Sequence, residues 1–445
     1  MIDGRVWRAA TCGVVLALVV LVAESLAAAW PALEPLNERR LERFGLRVVA
    51  SGHAEMITDM PSSAAIDELP PMIDAAVPQL AERFGVGESR WKPWRVRLCL
   101  IDDEARFAAA GLMPEGERRF ANGLSLGYRC WVRDQPSDYY RRHLVLHEAT
   151  HGFMQTLLGG CGPGWYMEGV AELCGTHAWR GRTLTLAAMP ASKQASPMWG
   201  RVRSIQDAVA AGETKPVAAV RLLDNRRPMS ADQYAWVWAL AKLLDTHPAY
   251  QQRFRALSEH VTAADFDARF DRSFARDREQ LEQEWRLFVD TIEYGHDPVR
   301  EAIDFEPGEA LPPGAERTAA ERTATVRAAT VRADRGWQSS GVRVAAGEAY
   351  RLTATGRYTI AHEPDGAPWP CEPGGVTLDY HRGRPLGELQ AAVDAGADAF
   401  LRATPVGLAA TFRPERAGTL YLRVNDRPNA LAENEGTLRV AIRRE

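Results

Sequence analysis

The chain has 445 residues, enough for two or three domains, and its 46% hydrophobic and 25% charged residues are ordinary for a globular protein. Its 54 basic and 58 acidic residues give a formal net charge of −4 at pH 7. No basic stripe runs along the sequence, so we expect no nucleic-acid partner.

The amino-terminal stretch has the pattern of a secretory signal. Arg5 and Arg8 precede an apolar run over residues 9–23, and small residues follow it as far as Ala29. This order predicts that residues 1–29 are a signal peptide cleaved near Ala29 or, if uncleaved, an N-terminal anchor. In either case we expect an extracytoplasmic protein that is secreted, periplasmic or anchored by this segment.

Residues 30–300 are predicted to form one α+β domain. Hydrophobic periodicity predicts strands and helices in alternation in the first half, with strands over residues 46–55, 94–101 and 124–132 and helices over residues 64–84 and 104–110. The second half is predicted to be mostly helical, with helices over residues 205–211, 216–223, 231–244, 250–260 and 277–294.

One predicted helix, ended by Gly159-Gly160, carries the residues of a zinc site. His147 and His151 are four residues apart in His-Glu-Ala-Thr-His, so their imidazoles lie on one helix face and can bind one Zn²⁺. Glu148 lies about 100° round the helix and can take a proton from water activated by the metal. The alternative is a buried helix whose histidines only make hydrogen bonds.

A second segment, residues 164–173, follows after a short loop and has the sequence Gly-Trp-Tyr-Met-Glu-Gly-Val-Ala-Glu-Leu. It supplies Glu168 as a third ligand. Glu172, one helical turn later, is placed to hydrogen-bond the outer nitrogen of a ligating histidine. For Glu172 the alternative is a solvated charge on the helix surface.

The H-E-x-x-H pattern at residues 147–151, followed by W-x-x-E-G-x-A-E at residues 165–172, resembles the gluzincin metallopeptidases. The peptidase MA-like branch, which is related to zinc aminopeptidases and thermolysin, is the most similar. The resemblance implies a thermolysin-like catalytic domain with a small mixed sheet plus helices. It also implies that Glu168 is the third zinc ligand.

In the resembled enzymes, the strand before the metal helix is an edge strand that binds an extended peptide by strand addition. That role falls here on Gly123, Leu124, Ser125 and Leu126, and an interior strand is the alternative. Residues 122–127 lack the G-x-M-E-N motif with which zinc aminopeptidases hold a free amine, which favours an endopeptidase.

Tyr234 lies near the start of the helix predicted over residues 231–244. In the resembled zinc aminopeptidases, a tyrosine at the start of the corresponding helix donates a hydrogen bond to the oxyanion. The resemblance therefore implies that Tyr234 acts with Glu148 in catalysis. The alternative is a tyrosine that only packs.

The cysteines leave the disulfide question open. If Cys12 is removed with the signal, five cysteines remain, so at least one is free or pairs between chains. Cys161 and Cys174 flank the Glu168 segment, and a bridge between them would brace that segment. Two buried thiols are the alternative.

The pattern changes after residue 300. Residues 301–323 are rich in Pro, Gly, Ala and Glu and are predicted to be a linker. Residues 324–445 are predicted to form an all-β jelly roll or sandwich. Its predicted strands cover residues 342–344, 349–355, 376–381, 409–412, 419–424 and 437–442.

Residues 418–436 resemble the calcium loop of galactophilic bacterial lectins and related galactose-binding-like sandwiches. On that resemblance, Asp426 and Asn434 match calcium-ligand positions, and oxygen ligands suit Ca²⁺. Glu433 replaces an asparagine of the family and Ala430 a threonine. The resemblance implies a glycan or cell-surface carbohydrate partner, whereas the alternative is an Asn-Asp turn that only shapes the loop.

The leading interpretation is a secreted zinc metalloendopeptidase that acts on peptides or proteins, with Zn²⁺ on His147, His151 and Glu168. The competing interpretation is a carbohydrate-binding or adhesion protein whose peptidase domain is vestigial. A third possibility joins the two, with the sandwich docking the protease onto glycans.

Overall fold

A computed structural model of the chain describes residues 30–116, 120–224, 228–312 and 326–445. The predicted signal or anchor, residues 1–29, lies outside the described residues, as do residues 313–323 of the predicted linker. Within the described ranges, no helix combines the length and the apolar character needed to cross a bilayer.

The amino-terminal part is built on a mixed sheet in the order β1-β2-β3-β5-β4. Its strands are β1 Arg47–Ala50, β2 Ala54–Thr58, β3 Val96–Ile101, β4 Gly123–Leu126 and β5 Arg129–Arg133. β3 pairs in parallel with β2 and β5, and every residue of β3 is buried, as expected for a central strand covered on both faces. β4 forms one edge of this sheet.

Two segments that were predicted as single strands are hairpins. Residues 46–55 contain β1, a turn and the start of β2, which pairs antiparallel with β1. Residues 124–132 contain parts of β4 and β5. Between them Gly127 adopts a φ of 60°, which a two-residue hairpin turn requires and glycine adopts without strain.

Helices surround this sheet and form most of the remaining domain. The helices are α1 Glu38–Glu42, α2 Ala64–Asp67, α3 Leu69–Phe84, α4 Glu88–Trp91, α5 Glu104–Ala110, α6 Asp138–Phe153, α7 Gly164–Gly175, α8 Arg201–Ala210, α9 Val217–Arg221, α10 Ala231–Thr246, α11 Gln251–Ala256, α12 Phe266–Ser273, α13 Arg278–Thr291 and α14 Pro298–Glu301. A π-helical segment, Met154–Leu158, continues α6. A hairpin of β6 His177–Arg180 and β7 Thr183–Leu186 follows α7.

The helix α10 is the central element of the helical part. Its tryptophans Trp236 and Trp238 are fully buried, and residues around the whole helix are enclosed, as expected for a helix that is apolar on all sides. A capping box fixes its start, because the Ser230 hydroxyl accepts from Gln233 N while the Gln233 side chain accepts from Ser230 N. α7 packs between α6 and α10.

The carboxy-terminal part is a β-sandwich. One sheet has the order β14-β15-β18-β10-β8, with β16 beside β15, and the other has the order β17-β11-β19-β9. The strands are β8 Glu309–Ala310, β9 Val326–Arg332, β10 Gln338–Val344, β11 Tyr350–Thr355, β12 Tyr358–His362, β13 Pro368–Cys371, β14 Gly374–His381, β15 Arg384–Val393, β16 Thr404–Pro405, β17 Ala409–Phe412, β18 Gly418–Val424 and β19 Thr437–Arg444. Alternate residues of β11 and β19 face the shared apolar core.

The two parts share a buried apolar contact. Leu287 on α13 and Ile303 pack with Trp337, Phe400 and Tyr421 of the sandwich. The start of the predicted linker is also structured, because β8 pairs in parallel with β10. The chain is therefore an α+β protein whose two parts are joined by a packed interface.

The described cysteines are buried thiols. Cys161 and Cys174 are both free, so the bridge weighed between them does not form. The thiols of Cys161 and Cys174 both lie within the apolar core of the amino-terminal part. Packing in this core, and no disulfide, holds the Glu168 segment.

Candidate metal centre

The helix α6 places the two histidines of the centre. It starts at Ser137, whose hydroxyl accepts a hydrogen bond from Tyr140 N, and the continuing π-helical segment ends at Gly159, which has a φ of 81°. The four-residue spacing brings His147 Nε2 to 3.0 Å from His151 Nε2. Both side chains are buried.

The helix α7 adds Glu168 to the pair. Glu168 Oε2 lies 3.3 Å from His147 Nε2 and 3.5 Å from His151 Nε2. The next residue, Gly169, allows α7 to approach α10 closely, because a Cβ there would come within 2.7 Å of Val237 O. This close packing fixes the depth at which Glu168 enters the site.

These three atoms fit a zinc ion. Bonds of about 2.0–2.2 Å in tetrahedral geometry place neighbouring ligand atoms about 3.3–3.5 Å apart, close to the 3.0, 3.3 and 3.5 Å found here. Glu168 Oε2 is buried and has no hydrogen-bond partner among the described residues. Burial raises the pKa of Glu168, but the two histidines outweigh it and hold the value at about 2, so the carboxylate is ionised.

Glu172 is buried and lies behind the first histidine. Its Oε1 is 3.5 Å from His147 Nδ1 and 3.4 Å from His143 Nε2. Arg201 donates to the same carboxylate from Nε (2.9 Å) and Nη2 (3.2 Å). Glu172 is therefore not a solvated helix charge, and it lies where it can orient His147.

Sequence reasoning missed His143 and Arg201. His143 is fully buried one helical turn before His147, and the periodicity that linked His147 to His151 could have found it. His143, His147 and Glu172 form a second group whose potential ligand atoms lie within 4.8 Å of one another. No pattern in the sequence points to Arg201, which lies 29 residues beyond Glu172 at the start of α8.

Glu148 is buried between α6 and the edge strand β4. A Cβ added to Gly123 would lie 2.2 Å from Glu148 Oε1, so only glycine leaves room for this carboxylate. Burial raises the pKa of Glu148, and His147 and His151 lower it, with a net rise. A carboxylate with a raised pKa suits a general base that works near neutral pH.

Tyr234 lies in the first turn of α10, beside the centre. Its ring centroid is 6.2 Å from that of His147, and the Arg201 guanidinium lies 5.4 Å from the Tyr234 ring. Burial, and then the negative charge of Glu168, raise the pKa of the Tyr234 phenol. The phenol therefore keeps its proton at neutral pH and remains a hydrogen-bond donor.

The predicted substrate strand is β4, and Gly123, Leu124, Ser125 and Leu126 form its full length. The structure places it at the sheet edge, next to Glu148. The edge position is the one that strand addition requires.

The predicted calcium residues also lie together. Asp426 Oδ2 accepts a hydrogen bond from Asn434 Nδ2 (2.8 Å), and Asp426 Oδ1 accepts from Arg427 N (2.6 Å). Asn434 Nδ2 also donates to Ala333 O, so this amide presents its nitrogen, not its oxygen, to the carboxylate. Calcium takes six to eight oxygens. The pair as arranged therefore does not fit Ca²⁺.

The loop around this pair also contacts the amino-terminal part. Asn429 N donates to Glu293 Oε1 (3.3 Å), and Asn429 Nδ2 donates to Tyr294 O (2.9 Å). Asp297 N donates to Pro428 O (3.3 Å). These contacts place the loop at the interface between the two parts.

No protein-family model and no curated protein matches the chain. The chain is similar to a solved structure described as "EclA N-terminal domain; PllA-like lectin". The two are 25% identical, and the match covers 26% of this chain and 95% of that chain, with a TM-score of 0.21. That description applies to the other protein.

Proposed function

We propose that this protein is a zinc-dependent peptidase that hydrolyses peptide bonds in extended peptides or proteins. The observation that carries the proposal is the triangle of His147 Nε2, His151 Nε2 and Glu168 Oε2, with edges of 3.0, 3.3 and 3.5 Å. Zn²⁺, when bound there, supplies a Lewis acid that lowers the pKa of water toward ~7 and polarises a carbonyl. The gluzincin resemblance supports the same assignment.

Each remaining step falls to a residue of this chain. Glu148 accepts the proton of the attacking water and passes it to the leaving amine. Tyr234 donates its phenol hydrogen bond to the oxyanion as charge develops there. Glu172, held by Arg201, orients the His147 ring.

The edge strand β4 binds the substrate backbone, and an endopeptidase is proposed because the amine-binding motif of aminopeptidases is missing. The predicted signal places this activity outside the cytoplasm. Glycan docking by the sandwich, and the competing interpretation as a carbohydrate-binding or adhesion protein, rest on the resemblance of residues 418–436 alone.

The experiment is a peptide-library cleavage assay on zinc-loaded wild type and Glu148→Gln. We expect hydrolysis by wild type and a loss of about 10²–10⁴-fold in Glu148→Gln with zinc content unchanged. Equal hydrolysis by both proteins would remove Glu148 from the mechanism. No hydrolysis by zinc-loaded wild type would favour the vestigial interpretation.

A further inference from the structure

The edge of β4 has a defined set of outward-facing groups. The hydrogen bond from Arg133 N to Asn122 O (2.8 Å) fixes which residues bond to β5. With the observed register, the even-numbered residues of β4 face β5, whereas Gly123 and Ser125 direct N–H and C=O outward. A peptide that pairs with this edge would use the groups of these two residues.

Part of this edge is already bonded within the chain. Gln155, one turn after His151, donates from Nε2 to Ser125 O (3.3 Å) and accepts at Oε1 from Gly127 N (2.6 Å). Its side-chain amide thus occupies two of the outward-facing backbone groups that a neighbouring strand would otherwise use. A peptide cannot use Ser125 O or Gly127 N while Gln155 holds them.

Trp30 blocks the β4 edge next to Gln155. Its ring lies 2.6 Å from the position that a Cβ on Gly127 would take, and its Nε1 donates to Gln155 O (3.2 Å). The indole therefore covers the end of the β4 edge beyond Gln155.

The opposite part of the edge is unpaired and lies beside the metal centre. Among the described residues, no hydrogen-bond partner is found for Gly123 N–H, Gly123 C=O or Ser125 N–H. Gly123 is also the residue that contacts Glu148. The backbone groups that remain for a peptide therefore run from Gly123, which contacts the proposed general base Glu148, to Ser125 N–H.

The orientation of strand pairing decides which end of a bound peptide meets Gln155. Antiparallel pairing is slightly more stable per residue than parallel pairing. In that orientation, the step from Gly123 to Ser125 along β4 runs toward the amino end of the peptide. The peptide residue opposite Ser125 finds a donor for its C=O, but its own N–H meets the Gln155 amide instead of a free carbonyl.

We propose that Gln155 and Trp30 block the part of the β4 edge that would bind the amino-terminal side of a peptide. This protein therefore cuts extended peptides about three residues from their amino end. The inference rests on the proposed peptidase function. It restricts the proposed peptidase to bonds near the amino end of the substrate, in place of the internal bonds that the missing aminopeptidase motif favours. It also assigns a specificity role to Gln155, which does not contact the reacting atoms.

The first test is digestion of a library of 12-residue peptides, with cleaved bonds located by mass spectrometry. Wild type should cut within about the first three bonds. Gln155→Ala should raise cleavage of central bonds relative to amino-proximal ones about tenfold, and Trp30→Ala should act in the same direction. The matched control is Gln206→Ala, which removes a glutamine amide bonded to Ile292 O (2.9 Å) and should leave the distribution unchanged. Central or carboxy-proximal cutting by wild type would overturn the inference.

The second test measures binding without hydrolysis. Calorimetry on Glu148→Gln should show that a short peptide binds about tenfold more tightly than the same peptide with five more residues at its amino end. Glu148→Gln combined with Gln155→Ala should remove that difference. Equal affinities in Glu148→Gln, or no binding of either peptide, would overturn the inference. If wild type cuts nothing but this difference is found, the peptidase proposal fails and the assignment of Gln155 stands.

Discussion

Glu148 and Gly123 are in such close contact that the space for a Cβ on Gly123 is filled by the Glu148 carboxylate, with Oε1 2.2 Å from that position. The φ of Gly123 is not in the left-handed region, so the requirement for glycine here is one of space. The edge strand and the general base therefore constrain each other.

The first prediction concerns Gly123→Ala. The added methyl group should displace Glu148 and lower kcat by about 10²-fold or more, since a misplaced general base loses most of its contribution. Zinc content should be unchanged. Gly87→Ala is the matched control, because nothing lies within 4 Å of its Cβ position. Wild-type kcat in Gly123→Ala would show that Glu148 does not need its present position.

The second prediction concerns Arg201→Met. It leaves the buried Glu172 carboxylate without its bidentate partner, so we expect a loss of about 3–5 kcal/mol in the free energy of unfolding. Zinc affinity should fall about 10–100-fold, because His147 loses its oriented neighbour. Urea unfolding and chelator competition measure the two effects. Arg203→Met, on the exposed face of the same helix, should change neither.

The third prediction concerns Tyr234→Phe. Removal of the phenol should lower kcat about 10²-fold, equivalent to ~3 kcal/mol, with KM and zinc content nearly unchanged, because the hydrogen bond forms only in the transition state. Steady-state kinetics on a single peptide separates kcat from KM. Unchanged turnover would leave Tyr234 as a packing residue against His147.

The fourth prediction concerns pH and Asp426. Burial raises the pKa of Asp426 from 3.8 to about 6, while the hydrogen bond from Asn434 acts in the opposite direction. The folded state therefore binds the proton more tightly than the unfolded state. The contribution of Asp426 to stability is fully present below pH 3.8 and is lost as pH rises through about 6.

The free energy of unfolding should fall by about 3 kcal/mol as Asp426 loses its proton. Asp426→Asn should remove that part of the pH dependence when unfolding free energies are compared between pH 4 and pH 7. The same dependence of the unfolding free energy on pH in wild type and Asp426→Asn would show that Asp426 is not held in a desolvated position.

Local patterns predicted the elements that carry the centre. The spacing of His147 and His151 fixed a common helix face, and Gly159 marked the end of that helix. Glu168 follows in a segment whose sequence is helical, and the structure brings it to the histidines. Each of these signals lies within a few residues of the side chains concerned.

Long-range relationships were not predictable in the same way. Arg201 reaches Glu172 from a separate helix, and Gln155 bonds the β4 edge across 30 residues. The hairpin at Gly127 was missed because the alternating pattern continues through the turn. β15 was missed because most of its residues are buried on both faces, so no alternation marks it.

Zinc content of freshly purified wild type and Glu168→Ala, measured by mass spectrometry of the metal, tests the central claim most directly. We predict about one Zn²⁺ per chain in wild type and its loss from Glu168→Ala at neutral pH, because two histidines alone leave the site one ligand short. A wild type without zinc, or a Glu168→Ala protein that keeps its zinc, would contradict a centre built from His147, His151 and Glu168.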